Sequence, residues 1–234
     1  MQYWIMGAGG IGCALAETLA ARGDSVLLFS RAQPRLSDLA WAAVEWHAVD
    51  NADSAALAQI CNELALPDAV INTLGMLQQG SQQPEKRIEQ VTEAAFHNSL
   101  HINTWPTLAM AQYLSSRLTR TDHLHFAALS ARVGSISDNR AGGWYSYRVS
   151  KAALNMAIKT ISIEWQRRFP NAYIVGLHPG TVATELSAPF RASLSEGQLH
   201  TPLQAAQHLL QVLDNVTAEQ SGRVWAWDGQ EVLP

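Results

Sequence analysis

A short apolar run, Tyr3-Trp4-Ile5-Met6, ends in Gly7-Ala8-Gly9-Gly10-Ile11-Gly12 and passes straight into Cys13-Ala14-Leu15-Ala16-Glu17-Thr18-Leu19. Ile11, Leu15 and Leu19 recur at helical spacing, so the string reads as strand, tight turn and helix. A strand that enters a helix through glycines opens a βαβ unit, which commits the downstream chain to parallel strands with helices on their faces. Lacking Cβ atoms, the turn can adopt positive φ and let backbone N–H groups approach a ligand, while the helix N-terminus adds partial positive charge. Such a turn suits the pyrophosphate of a dinucleotide.

The rest of the chain keeps the same rhythm. Val26–Phe29 follows the Gly23-Asp24 break, Ala69–Thr73 follows Pro67, His123–Leu129 follows a polar stretch and Tyr173–Leu177 follows Pro170. Each run is separated from the next by enough chain for a helix, which predicts an α/β, doubly wound parallel sheet of Rossmann type in three αβα layers. Residues 222–228 offer a last edge strand. No repeat or Pro/Ser-rich linker divides the chain, so residues 1–234 are expected to form one domain. The long connection from Glu185 to Pro202, rich in Ser and Ala, leaves the sixth strand at its carboxyl end and reads as a substrate lid.

Composition excludes several classes. A net charge of -4 leaves no basic footprint for nucleic acid or an anionic membrane. Cys13 and Cys61 form neither a CxxC nor a Cys/His cluster, so neither a disulfide framework nor a zinc site is expected. His97 and His101 have the i, i+4 spacing of a metal pair but lack a third ligand, and no metal is expected. The first strand begins next to Met1 and no run approaches the roughly 18 apolar residues of a membrane span. These features predict a soluble protein of a reducing cytoplasm.

Further on stands Tyr147-Arg148-Val149-Ser150-Lys151, a phenol and an ammonium one helical turn apart. An ammonium next to a phenol favours the phenolate, and so brings a group of ordinary pKa near ~10 closer to use as an acid/base. Taken alone, such a pair is an ordinary solvated helix face; beside a dinucleotide turn it points to hydride transfer with proton exchange at Tyr147.

With these residues in place the chain resembles the short-chain dehydrogenases/reductases over nearly its whole length. The landmarks are the glycine turn, Asp50 after the third strand, Asn72-Thr73-Leu74-Gly75 after the fourth, Asn103 in a helix, Tyr147 with Lys151, Pro179-Gly180-Thr181-Val182-Ala183-Thr184 after the sixth strand, and Asp228-Gly229. The segment from Leu129 to Asn139, followed by Gly142 to Tyr147, is most similar to the C-factor-like subgroup, related to sniffer-type carbonyl reductases. The resemblance implies a nicotinamide cofactor held by Gly7, Gly10, Ile11, Gly12, Asp50 at the adenine, Asn72 and Gly75 at the adenosine ribose, Tyr147, Lys151, Pro179, Gly180, Val182 and Thr184. It also implies Tyr147 as the acid/base and Asn103 as the holder of a water in a proton relay through Lys151. Its substrates are small carbonyl compounds or alcohols, and its members often associate through the helices carrying Asn103 and Tyr147, as homodimers or homotetramers.

Two departures stand out. The first two glycines are separated only by Ala8 and Gly9, one residue fewer than is common. The position of the family's substrate-binding serine falls on Ala131, which leaves Ser130 as the preferred substitute, Ser135 as a second, and local turn bonding as the alternative for both. The second strand closes on Leu28-Phe29-Ser30-Arg31 without an acid. An acid there would bond the ribose hydroxyls and repel a 2′-phosphate, so its absence favours NADP over NAD, with Ser30 and Arg31 as phosphate contacts; Arg31 as a plain surface charge is the alternative. The leading function is an NADP-dependent carbonyl reductase or alcohol dehydrogenase. A nucleotide-binding regulatory protein with little turnover is the second, permitted by Ala131 and the short turn.

Overall fold

A computed structural model of the chain describes residues 1–189 and 198–234. Along it run β1 (Gln2–Met6), α1 (Gly10–Ala21), β2 (Ser25–Ser30), α2 (Asp38–Trp41), β3 (Val44–Ala48), α3 (Ser54–Asn62) and β4 (Ala69–Asn72). There follow α4 (Glu93–Asn103), α5 (Trp105–Arg117), β5 (Leu124–Leu129), α6 (Tyr145–Arg168), β6 (Ala172–His178), β7 (Thr181–Val182), β8 (Leu199–His200), α7 (Pro202–Asp214), β9 (Val224–Ala226) and β10 (Glu231–Val232). The main sheet has the order β10-β9-β6-β5-β4-β1-β2-β3, parallel throughout except for the antiparallel β9–β10 pair. The doubly wound sheet expected from the sequence is therefore present. Its edge differs: residues 222–228 hold β9, which pairs with β6, and the outermost strand is β10.

Helices cover both faces, which is why the central strands read as continuous apolar runs rather than alternating ones. Trp4, Met6, Phe29, Val70 and Phe126 pack beneath Met110 and Leu114 of α5 and Leu154, Ile158 and Trp165 of α6. Tyr3, Ile5, Val26, Leu28 and Ile71 face the other way, against Leu15 and Leu19 of α1 and Leu209, Leu210 and Leu213 of α7. Each Leu or Phe fully buried in this way contributes about 1.5–3 kcal/mol. Helix starts follow local chemistry: Asp53 accepts the N–H groups of Ala55 and Ala56, and Thr201 with Gln204 forms a reciprocal capping box ahead of α7.

The order reverses between β1 and β4, so the connections leaving β1 and β4 diverge at their carboxyl ends and open a crevice there. The Glu185–Pro202 connection read as a lid includes residues 190–197, which lie outside the described residues. Its flanks are joined by the short parallel pair β7–β8, for which the sequence pattern offers no signal.

Candidate active site

The glycine turn lies at the carboxyl end of β1. Gly7 adopts φ +101°, and a Cβ on Gly12 would stand 2.1 Å from the Gly7 carbonyl oxygen, so α1 packs on the turn at a distance only glycine allows. The Thr73 hydroxyl, at the end of β4, fastens the turn from the side through the Met6 and Gly7 carbonyls at 2.9 and 3.0 Å. The first helical bond of α1 runs from Cys13 N–H to Gly9 O at 2.9 Å. The amides of Gly10, Ile11 and Gly12 therefore precede the helical ladder and point out of its N-terminus, which has neither a side-chain cap nor an acid in its first turn. This donor set fits a pyrophosphate, and the shortened turn still delivers it. Across the turn sits Thr184: a Cβ on Gly10 would come within 2.9 Å of its methyl group.

Next to this turn lies the end of β2. Ser30 is buried, donates to Ala32 O at 2.7 Å and accepts from the Trp46 indole at 3.0 Å. Its hydroxyl, expected to contact a phosphate, is engaged with these two partners in this structure. Arg31 and Arg35 are exposed and enter no ion pair among the described residues. The Arg35 backbone faces the Cys13 sulfur, and Ser37 N–H donates to Glu17, so the loop lies along the start of α1. Arg35 is a cation that sequence reasoning missed, since only the fold returns it to the turn.

Asp50 is exposed and accepts the Ala52 N–H, whereas its neighbour Asn51 turns inward. Asn51 Nδ2 donates to Phe29 O at 2.9 Å, while its buried Oδ1 has no hydrogen-bond partner among the described residues. An orphaned acceptor beside the turn fits an amino-bearing ring such as adenine. The Asn72 side chain is spent internally, donating to Thr107 Oγ1 and accepting Leu74 N–H, so it shapes the loop that leads to Gly75. A Cβ on Gly75 would be 3.8 Å from Lys151 Nζ, which places that loop over the lysine.

Tyr147 and Lys151 occupy the first two turns of α6, both buried, with Lys151 Nζ 5.9 Å from the Tyr147 ring centre and 2.8 Å from Leu129 O. Burial pushes the phenol up to about 12 and the ammonium down to about 8. Desolvation thus outweighs the expected help of the ammonium, because Nζ is aimed at a carbonyl rather than at the phenol. Near neutral pH the phenol keeps its proton.

Asn103 closes α4 beside this pair. Its Oδ1 accepts Met76 N–H at 2.7 Å and its Nδ2 donates to Met76 O and to Ser150 Oγ, both at 2.9 Å. The helix breaks after it: Thr107 N–H closes on Thr104 O, and Pro106 brings no N–H. The Asn103 side chain is thus spent on Met76 and Ser150, and its backbone carbonyl loses the helical donor that Thr107 N–H would otherwise supply.

Both serines are hydrogen-bonded within the protein. Ser130 donates to Asn155 Oδ1 on α6 at 2.5 Å, and Ser135 accepts Asp138 N–H at 3.1 Å within its own turn. The Ser130 hydroxyl, expected to hold a substrate oxygen, is engaged with the helix in this structure, and Ala131 takes the position one residue on.

The start of α6 is unusual. Trp144 adopts the left-handed conformation at φ +52°, a cost of about 1–2 kcal/mol for a residue with a Cβ. Its N–H donates to Glu85 O at 2.5 Å, and its ring meets that of Tyr147 edge-on at 6.3 Å. Glu85 lies on the β4–α4 connection, so the stretches of chain holding Met76–Gly80 and Gly142–Tyr145 are tied together by the fold. Beyond β6, Pro179 and Gly180 lead to Val182, which is buried, and to Thr184 over the turn. His178, just before them, is pushed down to about 4, first by burial and then by Arg132.

Residues 3–195 match the short chain dehydrogenase family. The chain belongs to that family. Among its relatives is the 1-hydroxy-2-glutathionyl-2-methyl-3-butene dehydrogenase of Rhodococcus sp. (strain AD45), 43% identical over 101 residues, or 43% of this chain and 42% of that one. Another is the C-signal protein of Myxococcus xanthus, 37% identical over 107 residues, or 45% of this chain and 58% of that one. The chain thus spans about half the length of these curated relatives in its matches. The carbonyl reductase Sniffer of D. melanogaster superposes with a TM-score of 0.83 at 20% identity, covering 100% of this chain and 99% of that one. The chain is a short-chain dehydrogenase/reductase, with the C-signal protein among its relatives and the Sniffer fold. Among the described residues no His/Cys/Asp/Glu group could hold a metal, and no helix is long and apolar enough to cross a membrane.

Proposed function

We propose that residues 1–234 act as one NADP-dependent oxidoreductase unit that interconverts a small carbonyl compound and its alcohol, with Tyr147 as the proton donor and acceptor. The observation that carries this reading is the buried Tyr147–Lys151 pair beneath the Gly75 loop. Bound NADPH would supply hydride. Gly10, Ile11 and Gly12 would hold its pyrophosphate, Asn51 and the Asp50 backbone region its adenine, and Thr184 its nicotinamide amide. Arg31, with Arg35, would pair with the 2′-phosphate, which the absence of an acid at the end of β2 permits.

A phenol that retains its proton at neutral pH is poised to give it up to an alkoxide, a far stronger base, so the reductive direction suits Tyr147 as found. Lys151, anchored on Leu129 O, orients the ribose, and the Asn103 carbonyl receives the relay water. With Ala131 at the serine position, Tyr147 holds the substrate oxygen alone. The site belongs in a reducing cytoplasm, and the exposed stripe Val149, Met156 and Ile163 along α6 provides the face for a homodimer or homotetramer.

The test is loss of NADPH absorbance with a panel of aldehydes, ketones and quinones, compared between the parent and Tyr147→Phe. Ala131 and the committed Ser130 also favour a second reading, a nucleotide-binding regulatory protein with little turnover; absence of turnover across the panel despite tight NADPH binding would establish it.

A further inference from the structure

We propose that Glu85 is a remote cap for the catalytic helix, a positioning residue that fixes the Tyr147 hydroxyl from a loop 61 positions upstream of Ser146. The inference rests on the reading of Tyr147 as the acid/base. A helix start leaves its first amides without intrahelical acceptors, and the residue preceding the first turn usually supplies one from its side chain. Helix α6 has Trp144 there, whose indole carries no acceptor oxygen, and no acid in its first turn. Glu85 supplies acceptors at this helix start instead. Its carbonyl takes the Trp144 N–H, one carboxylate oxygen takes the Ser146 N–H at 3.3 Å, and the other takes the Ser146 hydroxyl.

Burial and charge make this arrangement specific. Glu85 is 5% exposed and Ser146 2% exposed, so neither exchanges its bonds for water cheaply. The carboxylate also lies at the positive end of a helix of 24 residues, where negative charge is favoured. Its backbone bond holds Trp144 in the left-handed conformation, and the Trp144 ring packs edge-on against Tyr147. Glu85 thus binds the residues immediately before and immediately after Tyr145, and through the Trp144 ring it bears on Tyr147.

Position in the helix predicts which function fails without the cap. The first intrahelical bond runs from Arg148 N–H to Trp144 O. Fraying by one turn displaces Tyr147, which lies inside that turn, while Lys151 lies one turn further in and keeps its bond to Leu129 O. Proton transfer should suffer and cofactor binding should not. A contact that only stabilised the fold would instead reduce both together, in step with the folded fraction.

The experiment compares the full chain with Glu85→Ala, Glu85→Gln, Ser146→Ala and the Glu85→Ala/Ser146→Ala pair, using NADPH with phenanthrenequinone and with para-nitrobenzaldehyde. NADPH affinity is read by fluorescence, and hydrogen exchange by mass spectrometry over residues 143–150. Glu85→Ala should lower kcat roughly tenfold or more, leave the NADPH Kd unchanged and speed exchange at the start of α6 but not near Trp165. Glu85→Gln, which keeps an acceptor oxygen, should restore most of the rate, and the double variant should be no slower than Glu85→Ala alone. Unchanged kcat in Glu85→Ala, or kcat and NADPH affinity falling together, overturns the proposal. If Glu85→Ala does not fold, Glu85→Gln and Ser146→Ala carry the test: kcat lower at constant Kd supports it, and parent rates in both overturn it. If the parent turns over neither probe, the oxidoreductase reading fails by itself, and unchanged exchange at residues 143–150 would then overturn the cap.

Discussion

The Ser130 hydroxyl donates to Asn155 Oδ1 at 2.5 Å, tying the end of β5 to the third turn of α6. Lys151, one turn before Asn155, bonds the carbonyl of Leu129, the residue before Ser130. Two successive residues of one strand end are thus clamped to successive turns of the helix that carries Tyr147. The clamp uses the proton that a substrate oxygen would need, and it leaves Ala131 where a hydroxyl would be useful.

This geometry predicts that Ser130→Ala acts on stability before chemistry. Losing the bond leaves Asn155 Oδ1 short of a donor and should cost about 1–3 kcal/mol in urea unfolding, with kcat per folded molecule near the parent value. Ala131→Ser should raise turnover by adding a donor to the developing oxyanion. A large fall in kcat for Ser130→Ala without loss of stability would return the substrate role to Ser130.

Tyr147→Phe should leave NADPH binding nearly intact and lower turnover by roughly 100-fold or more, the contribution of a positioned acid/base. Parallel NADPH titration and steady-state kinetics on one active carbonyl probe decide it. Parent-level turnover would remove Tyr147 from the chemistry.

Much of this site is legible in the sequence because its signals are local. The glycine turn, the Tyr147/Lys151 spacing and the apolar runs each depend on neighbours a few residues apart, and all lead to the observed sheet and helices. The illegible part depends on distant chain. Glu85 gains meaning only when its loop meets Trp144 and Ser146, and Asn51 rather than Asp50 turns inward because of a bond to Phe29 on another strand. Ser30 reads as available until Trp46, sixteen positions away, is folded against it. The pairing of β10 outside β9 is equally hidden, since a two-residue strand has no period to read.

Arg31→Asp should weaken NADPH far more than NADH, because it deletes a phosphate partner and sets a like charge in its place. Arg35→Ala should weaken NADPH in the same sense but less, as the second cation on the loop. Fluorescence titration with both cofactors measures the ratio, and equal losses for NADPH and NADH in Arg31→Asp would assign Arg31 to the solvated surface.

The last prediction concerns acid. His178 is held neutral in the folded chain, its pKa pushed from 6.5 down to about 4 mainly by burial, with Arg132 adding repulsion. As pH falls below 6.5 the unfolded chain takes up this proton first, so the unfolded state binds more protons and stability falls until the folded group titrates near 4. His125 and His200, also lowered by burial, act in the same direction. The urea midpoint of the parent should therefore drop steadily across that interval, and His178→Gln should flatten the drop because its side chain has no proton to gain. The same variant should leave the midpoint's slope above pH 6.5 unchanged, since His178 is neutral in both states there. Parallel curves for parent and variant between the two pKa values would mean that His178 does not carry the acid sensitivity.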